Sequence, residues 1–186
     1  MRTIKLTEET RKDLLEKLLK RSPNCYGEYE GRVTEIVNTV RAGGDKALFD
    51  YTERFDRAKI TVENIRVTED EIKTAYEEVD PELLSVIRKA LVNIRSYHEK
   101  QLKQSWFESQ PSGIILGQKV QALATVGVYV PGGKAVYPSS VLMNIVPAKV
   151  AGVEKIIMCT PCSPEGKVCA STLVAAREAG VDEIYK

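Results

Sequence analysis

The sequence has 186 residues, of which 43% are hydrophobic and 28% are charged, a composition typical of a folded globular protein rather than a disordered one. Its 27 Lys and Arg residues and 26 Asp and Glu residues give a formal net charge of +1, so charge supports neither a nucleic-acid partner nor an acidic membrane surface. No apolar stretch approaches the roughly 20 residues that span a bilayer, and the N-terminus lacks the apolar core of a signal peptide. We therefore expect a cytoplasmic protein.

Residues 1–111 have a mostly helical pattern. Thr7 is placed to cap a first helix with a leucine-rich face (Leu14, Leu15, Leu18 and Leu19), and Gly43-Gly44 is placed to end a second one. The stretch from Ile60 to Val67 is rich in β-branched residues and predicts a strand or a hairpin.

Two further helices follow in this region. Thr68 and Glu71 have the spacing of a capping box, and Asp80-Pro81 predicts the start of a long helix. The apolar stripe of the long helix ends at His98, which favours a packing or hydrogen-bonding role for this histidine over a catalytic one. The stripe comprises Leu84, Ile87, Leu91 and Ile94.

From Ser112 the pattern alternates short apolar runs with helical segments. Residues 126–130 predict a buried strand, residues 156–158 a second and Ile184-Tyr185 a third, with helices beginning near Ser139 and Val168 between them. Residues 151–157 and 179–185 resemble each other at an offset of 28, and each copy contains a helix end, a glycine and a strand entry. This alternation predicts half of a Rossmann-like doubly wound parallel sheet.

We therefore predict an α/β fold with a mostly helical region at residues 1–111 and the first half of a Rossmann-like domain at residues 112–186. The sequence stops just after the third predicted strand has begun. A parallel sheet is normally covered on both faces, and this part of the chain provides too few elements for that. We therefore expect the sequence to be a truncated portion of a longer chain.

The four cysteines include a C-x-x-C pair, Cys159 and Cys162, with Cys169 further on. A structural zinc site needs four ligands, and the only histidine, His98, lies far from these residues in the sequence. A thioredoxin-like motif opens a helix directly after a strand, whereas Pro164 and Gly166 predict an intervening loop. We expect ordinary thiols at a strand end and no metal site.

The segment from Gly127 to Gly133 follows the first predicted parallel strand, where ligands bind in open α/β sheets. Its glycine spacing matches neither a dinucleotide-binding G-x-G-x-x-G motif nor a phosphate-binding P-loop. Spacing alone therefore leaves two alternatives open: a ligand-binding loop and a structural Pro-Gly-Gly turn.

Residues 127–143, GVYVPGGKAVYPSSVLM, followed by Pro147-Ala148 and residues 150–153, resemble the signature of the histidinol dehydrogenases. Upstream, residues 44–48, 51–56 and 97–101 are similar to other segments of that family. The resemblance thus covers nearly the whole chain.

The resemblance implies a zinc- and NAD-dependent, homodimeric enzyme of histidine biosynthesis that oxidises L-histidinol to L-histidine through the aldehyde. It implies that Tyr129 contacts NAD and that Pro131, Gly132 and Gly133 shape the same cofactor wall. The family's zinc ligands and general base correspond to positions downstream of Lys186, so no catalytic or zinc-binding residue is assigned here and we expect the chain alone to be inactive. Two alternatives remain: a related dehydrogenase for another small hydroxyl compound such as a sulfonated diol, and a non-catalytic module that binds a nucleotide or a partner chain.

Overall fold

The computed structural model describes residues 5, 7, 8, 10–12, 16, 27–133 and 136–186. The chain forms two compact units, residues 1–48 and residues 49–186. Helix α1 (Gly27–Asp56) runs through the boundary between them.

In the first unit, the described residues confirm the helix cap at Thr7. Its Oγ1 accepts a hydrogen bond from the backbone N–H of Thr10 at 3.2 Å. The leucines predicted for this helix face lie outside the described residues. In α1 the predicted break is found at Gly44, whose φ of 57° and ψ of −141° are not helical. Glycine adopts this conformation because it has no Cβ.

The second unit contains a three-stranded parallel sheet, which the sequence predicts, and its strands lie side by side in chain order. The strands are β3 (Thr125–Tyr129), β4 (Lys155–Cys159) and β5 (Glu183–Tyr185), joined by helices α4 (Pro138–Val150) and α5 (Ala170–Ala179). In register, Tyr129 lies opposite Cys159, and Cys159 lies opposite Tyr185. The carboxyl ends of all three strands therefore meet at one edge of the sheet.

Helices α4 and α5 contact each other, and the core lies between them and one face of the sheet. Alternation along the strands directs one set of side chains to that core. The fully buried members of the core are Val130, Val141, Leu142, Ile145, Val146, Ile156, Met158 and Val174. On the opposite face, Thr125, Gly127 and Tyr129 are exposed.

Helices α2 (Glu69–Glu78) and α3 (Pro81–Glu99) pack on the crossover helices, α2 on α5 and α3 on both α4 and α5. Both predicted caps are confirmed. Thr68 and Glu71 form a complete capping box, and the Asp80 side chain accepts a hydrogen bond from the N–H of Glu82. His98 lies near the end of α3, where Nδ1 is 2.7 Å from Gln101 Oε1, in agreement with its predicted hydrogen-bonding role.

A polar cluster around Glu178 joins α2, α3 and α5. Glu178 accepts two hydrogen bonds from the Arg88 guanidinium, at 2.8 and 2.9 Å, and one from the Tyr76 hydroxyl at 2.8 Å. The hydrogen bonds from Arg88 lower the pKa of Glu178, although partial burial opposes them. Burial and the hydrogen bond to Glu178 raise the pKa of Tyr76 to about 12.

The strand or hairpin predicted for residues 60–67 is wrong, because this segment forms a turn held by the Asn64 side chain. Asn64 Oδ1 accepts from the N–H of Thr61 at 2.7 Å, and Nδ2 donates to the carbonyl of Lys59 at 3.1 Å. Asparagine side chains compete in this way with strand hydrogen bonds. The segment keeps one isolated antiparallel bridge, between Arg66 and Tyr185 at the edge of β5.

An antiparallel hairpin, β1 (Trp106–Ser109) and β2 (Ile115–Gln118), was not predicted. Its turn contains Gly113 at φ 83°, and the N–H of Gly113 donates to the carbonyl of Gln110 at 2.9 Å. The predicted domain boundary between residues 111 and 112 falls in this turn, and the division into residues 1–111 and 112–186 remains a prediction.

Candidate cofactor site at the carboxyl ends of the parallel strands

The loop after β3 begins the candidate site. Val130 is fully buried, and its N–H donates to the carbonyl of Cys159 at 2.9 Å, which ties the start of the loop to the end of β4. Tyr129, one residue earlier, is 66% exposed. The predicted alternation is therefore found, since Tyr129 and its neighbours Val128 and Val130 lie on opposite faces. Tyr129 is not a core residue.

Two glycines in the loop would accommodate a larger side chain poorly, for different reasons. At Gly132 a Cβ atom would lie 3.2 Å from the Pro161 side chain, closer than ordinary packing allows. At Gly133 the space is open, but φ is 90°, a conformation that other residues adopt only with strain. At Gly132 the loop backbone thus lies close to the segment after β4.

That segment, residues 159–162, carries the C-x-x-C pair. Cys159 is exposed at the end of β4, while Cys162 and Thr160 are buried. Both cysteines and Cys169 are free thiols. Partial loss of water around the two thiol groups raises the pKa values of Cys159 and Cys162, which favours the neutral thiol over the reactive thiolate. These properties agree with the interpretation of ordinary thiols at a strand end.

Lys186 follows β5 at the same edge of the sheet. Its backbone N–H donates to the carbonyl of Ile65, and its ammonium group lies 2.6 Å from Glu71 Oε1 with only 6% of the side chain exposed. Burial raises the pKa of Glu71, but the hydrogen bonds from Lys186 and Thr68 outweigh this effect and leave the pKa below its ordinary value. The ion pair between Lys186 and Glu71 connects the capping box of α2 to the end of β5.

Together these segments line a crevice of about 370 Å³ past the ends of all three strands. Its lining consists of Thr52, Asp56, Tyr129, Gly132, Gly133, Cys159, Thr160, Pro161, Cys162 and Lys186. A cavity of about 850 Å³ shares Asp56, both glycines and residues 160–162 with it and extends along the loop before α5. Ligand sites in proteins commonly measure about 300–1,000 Å³. The crevice is large enough for part of a dinucleotide.

The structure brings three of the four predicted site residues, Tyr129, Gly132 and Gly133, into this crevice. Pro131 lies between them in the chain and is exposed. Sequence reasoning did not assign Thr52, Asp56, Thr160 or Lys186 to the site. Thr52 and Asp56 belong to a segment that resembles the family, which could have drawn attention to them.

A metal centre is not formed by the described residues, which contain no group of three or more His, Cys, Asp and Glu side chains placed to hold an ion. Within the same ranges, each helix is too short or too polar to cross a lipid bilayer.

Comparison with known proteins identifies one family. The family model for histidinol dehydrogenase matches residues 19–186. The chain is 56% identical over 155 residues to the histidinol dehydrogenase of Heliobacterium mobile, which covers 83% of this chain and 36% of that protein. It is 50% identical over 169 residues to the Bacillus subtilis histidinol dehydrogenase, covering 90% of this chain and 39% of that protein.

A solved structure gives the same result for the fold. The crystal structure of histidinol dehydrogenase from Elizabethkingia anophelis superposes with a TM-score of 0.78 at 34% identity, over 84% of this chain and 36% of that one. The chain thus spans between about a third and two fifths of the length of these relatives.

Proposed function

The chain belongs to the histidinol dehydrogenase family, and on that basis we propose that it forms the N-terminal part of such an enzyme and provides one wall of its NAD-binding crevice. The complete enzyme would oxidise L-histidinol to L-histidine through the aldehyde, with NAD accepting the hydride in each of two steps. The relatives' names support this substrate over a sulfonated diol, and they support an enzyme over a non-catalytic module.

The single observation that carries the proposal is the position of Tyr129. It is exposed at the carboxyl end of β3, beside Gly132 and Gly133, in the crevice where open α/β sheets bind their ligands. Its ring can stack against a planar group of the cofactor, and its hydroxyl can form a hydrogen bond. The glycines allow the loop backbone to approach the same ligand.

Zinc does not fit the described residues of this chain, because their donors form no cluster. We assign no zinc ligand and no catalytic base here, and we propose that later parts of the complete enzyme supply them. The residues of this chain bind and orient NAD. The homodimer and the cytoplasmic location also belong to the proposal.

A chimera tests the proposal. The 155 residues of this chain that match the Heliobacterium mobile enzyme replace their counterparts in it. Histidinol-dependent formation of NADH is measured for the chimera and for the 186-residue chain alone. We expect activity from the chimera and none from the chain alone, with or without added zinc. Activity above a blank from the purified chain, or an inactive but folded chimera, would contradict the proposal.

A further inference from the structure

Among the described residues that line the crevice of about 370 Å³, Lys186 has the only cationic side chain. This side chain is 94% buried, and its ammonium group is held at 2.6 Å by Oε1 of Glu71. Glu71 itself is not a lining residue, so the ion pair joins the wall of the crevice to the capping box of α2. A buried cation at the wall of a ligand crevice is a candidate contact for an anionic group.

The ammonium group of Lys186 has hydrogen-bonding capacity to spare. The carboxylate of Glu71 is divided between two partners, because its Oε2 accepts a hydrogen bond from the N–H of Thr68 at 2.8 Å and only its Oε1 faces Lys186. An ammonium group has three N–H donors, and within the described ranges Glu71 is its one side-chain partner. Buried donors without an acceptor are costly. The group therefore suits a ligand that brings further acceptor atoms.

The thiol of Cys162 shows that this positive charge acts on the crevice. Partial loss of water raises the pKa of Cys162, the carboxylate of Asp56 raises it further, and the ammonium group of Lys186 lowers it. All three residues line the same crevice. The crevice thus contains one charge of each sign, and the ammonium group is the one that attracts an anion.

We propose that Lys186 contacts the diphosphate of NAD, with Glu71 as the positioning residue for its ammonium group. The inference deepens the proposed function and rests on it. The two phosphate groups are the anionic part of NAD, whereas its oxidised nicotinamide ring is cationic and is repelled by an ammonium group. Lysine binds phosphate as a point charge. Gly132 and Gly133 line the same crevice, where their backbone can approach the same groups.

Ligands with and without phosphate test this contact. The Heliobacterium mobile chimera is built with the replaced part continued through Lys186, and ADP and adenosine are measured as competitors of NAD. Lys186→Gln keeps a donor that can face Glu71 but removes the charge. We expect the KM for NAD and the inhibition constant of ADP to rise about tenfold or more, the loss of a hydrogen bond to a charged group. The inhibition constant of adenosine and the KM for histidinol should change little.

Glu71→Gln is the matched variant, because glutamine can also complete a capping box and the ammonium group of Lys186 remains. It should retain most of the affinity for ADP. If the ion pair only supported the fold, Glu71→Gln and Lys186→Gln would weaken ADP and adenosine alike. Lys186→Met, which is similar in length to lysine, takes the place of Lys186→Gln in these measurements if that variant does not fold.

Two results overturn the contact: an inhibition constant of ADP that Lys186→Gln leaves unchanged, and equal losses of affinity for ADP and adenosine. The proposed function then still stands if Tyr129→Ala raises the KM for NAD in the same chimera. A folded chimera without histidinol-dependent formation of NADH contradicts the proposed function and this inference together.

Discussion

The carboxylate of Asp182, just before β5, accepts a hydrogen bond at 2.7 Å from the backbone N–H of Ile156 in β4. The same Oδ2 atom lies 3.1 Å from the ammonium group of Lys149 near the end of α4. One side chain thus joins the two strands and the helix α4. In the internal repeat, Asp182 corresponds to Glu154, which precedes β4.

This arrangement predicts that the stability of the fold decreases at low pH. The hydrogen bond from Ile156 lowers the pKa of Asp182 below its ordinary value of 3.8, and the ammonium group of Lys149 lowers it further. Burial has the opposite, smaller effect on this pKa. A carboxyl group with a lower pKa in the folded state contributes stability above its unfolded pKa, and that stability is lost as the pH falls through the folded value. The melting temperature should therefore fall below about pH 4, and the fall should be smaller in Asp182→Asn.

Thermal melts of the two proteins from pH 7 to pH 2 check this prediction. Because the amide side chain of the Asp182→Asn variant keeps an acceptor for the Ile156 N–H but carries no charge, the variant should melt slightly lower at pH 7. Parallel curves for the two proteins below pH 4 would show that Asp182 is not a source of the acid dependence.

Adjacent isoleucines of β4 test which face of the sheet holds the core. Ile156 is fully buried against the helices, whereas Ile157 is half-buried on the opposite face. Ile156→Ala should lower the free energy of unfolding by about 2–5 kcal/mol, the cost of emptying a packed site, and Ile157→Ala by less than about 1.5 kcal/mol. Denaturant titrations measure both. Equal losses would mean that the second face is as well packed as the first.

The glycines of the internal repeat predict a difference in stability between two glycine-to-alanine variants. Gly152 and Gly180 both end a crossover helix with φ near 90°, at 88° and 91°. Gly180→Ala should therefore destabilise the fold by about 1–2 kcal/mol, the cost of a left-handed conformation for a residue with a Cβ. Gly127→Ala is the matched control, since a Cβ there meets nothing within 4 Å among the described residues and φ is not positive. Chemical denaturation compares the two variants, and a Gly180→Ala variant as stable as Gly127→Ala would contradict the strain argument.

Local patterns were enough to predict most of the second unit. The repeat at residues 151–157 and 179–185 predicted both glycine helix ends and the strand entries that follow them, because each feature depends on neighbouring residues. The hairpin was missed, although Gly113 lies in its turn, because its apolar residues are exposed and do not alternate in the way that a half-buried strand does. The strand at residues 60–67 was predicted wrongly, because β-branched side chains outweighed the turn chemistry of Asn64.

The site was predictable only in part, for a related reason. Tyr129 and the glycines lie in one continuous motif, so sequence alone selected them. Lys186 and Asp56 reach the crevice from segments that are distant in the chain, and only the sheet topology brings them beside Tyr129. Such residues carry no common spacing that a sequence could reveal.

The affinity of the chimera for NAD tests the central claim most directly. Tyr129→Ala should raise the KM for NAD about five- to thirtyfold, the equivalent of about 1–2 kcal/mol for one stacking or hydrogen-bonding contact, with little change in melting temperature. Tyr97→Ala is the control, because Tyr97 is similarly exposed, at 62%, but lies on α3 outside the residues that line the crevice. The KM of the Tyr97→Ala chimera for NAD should equal that of the unaltered chimera. An unchanged KM for NAD in Tyr129→Ala, together with a large drop in melting temperature, would contradict the assignment of Tyr129 to the cofactor.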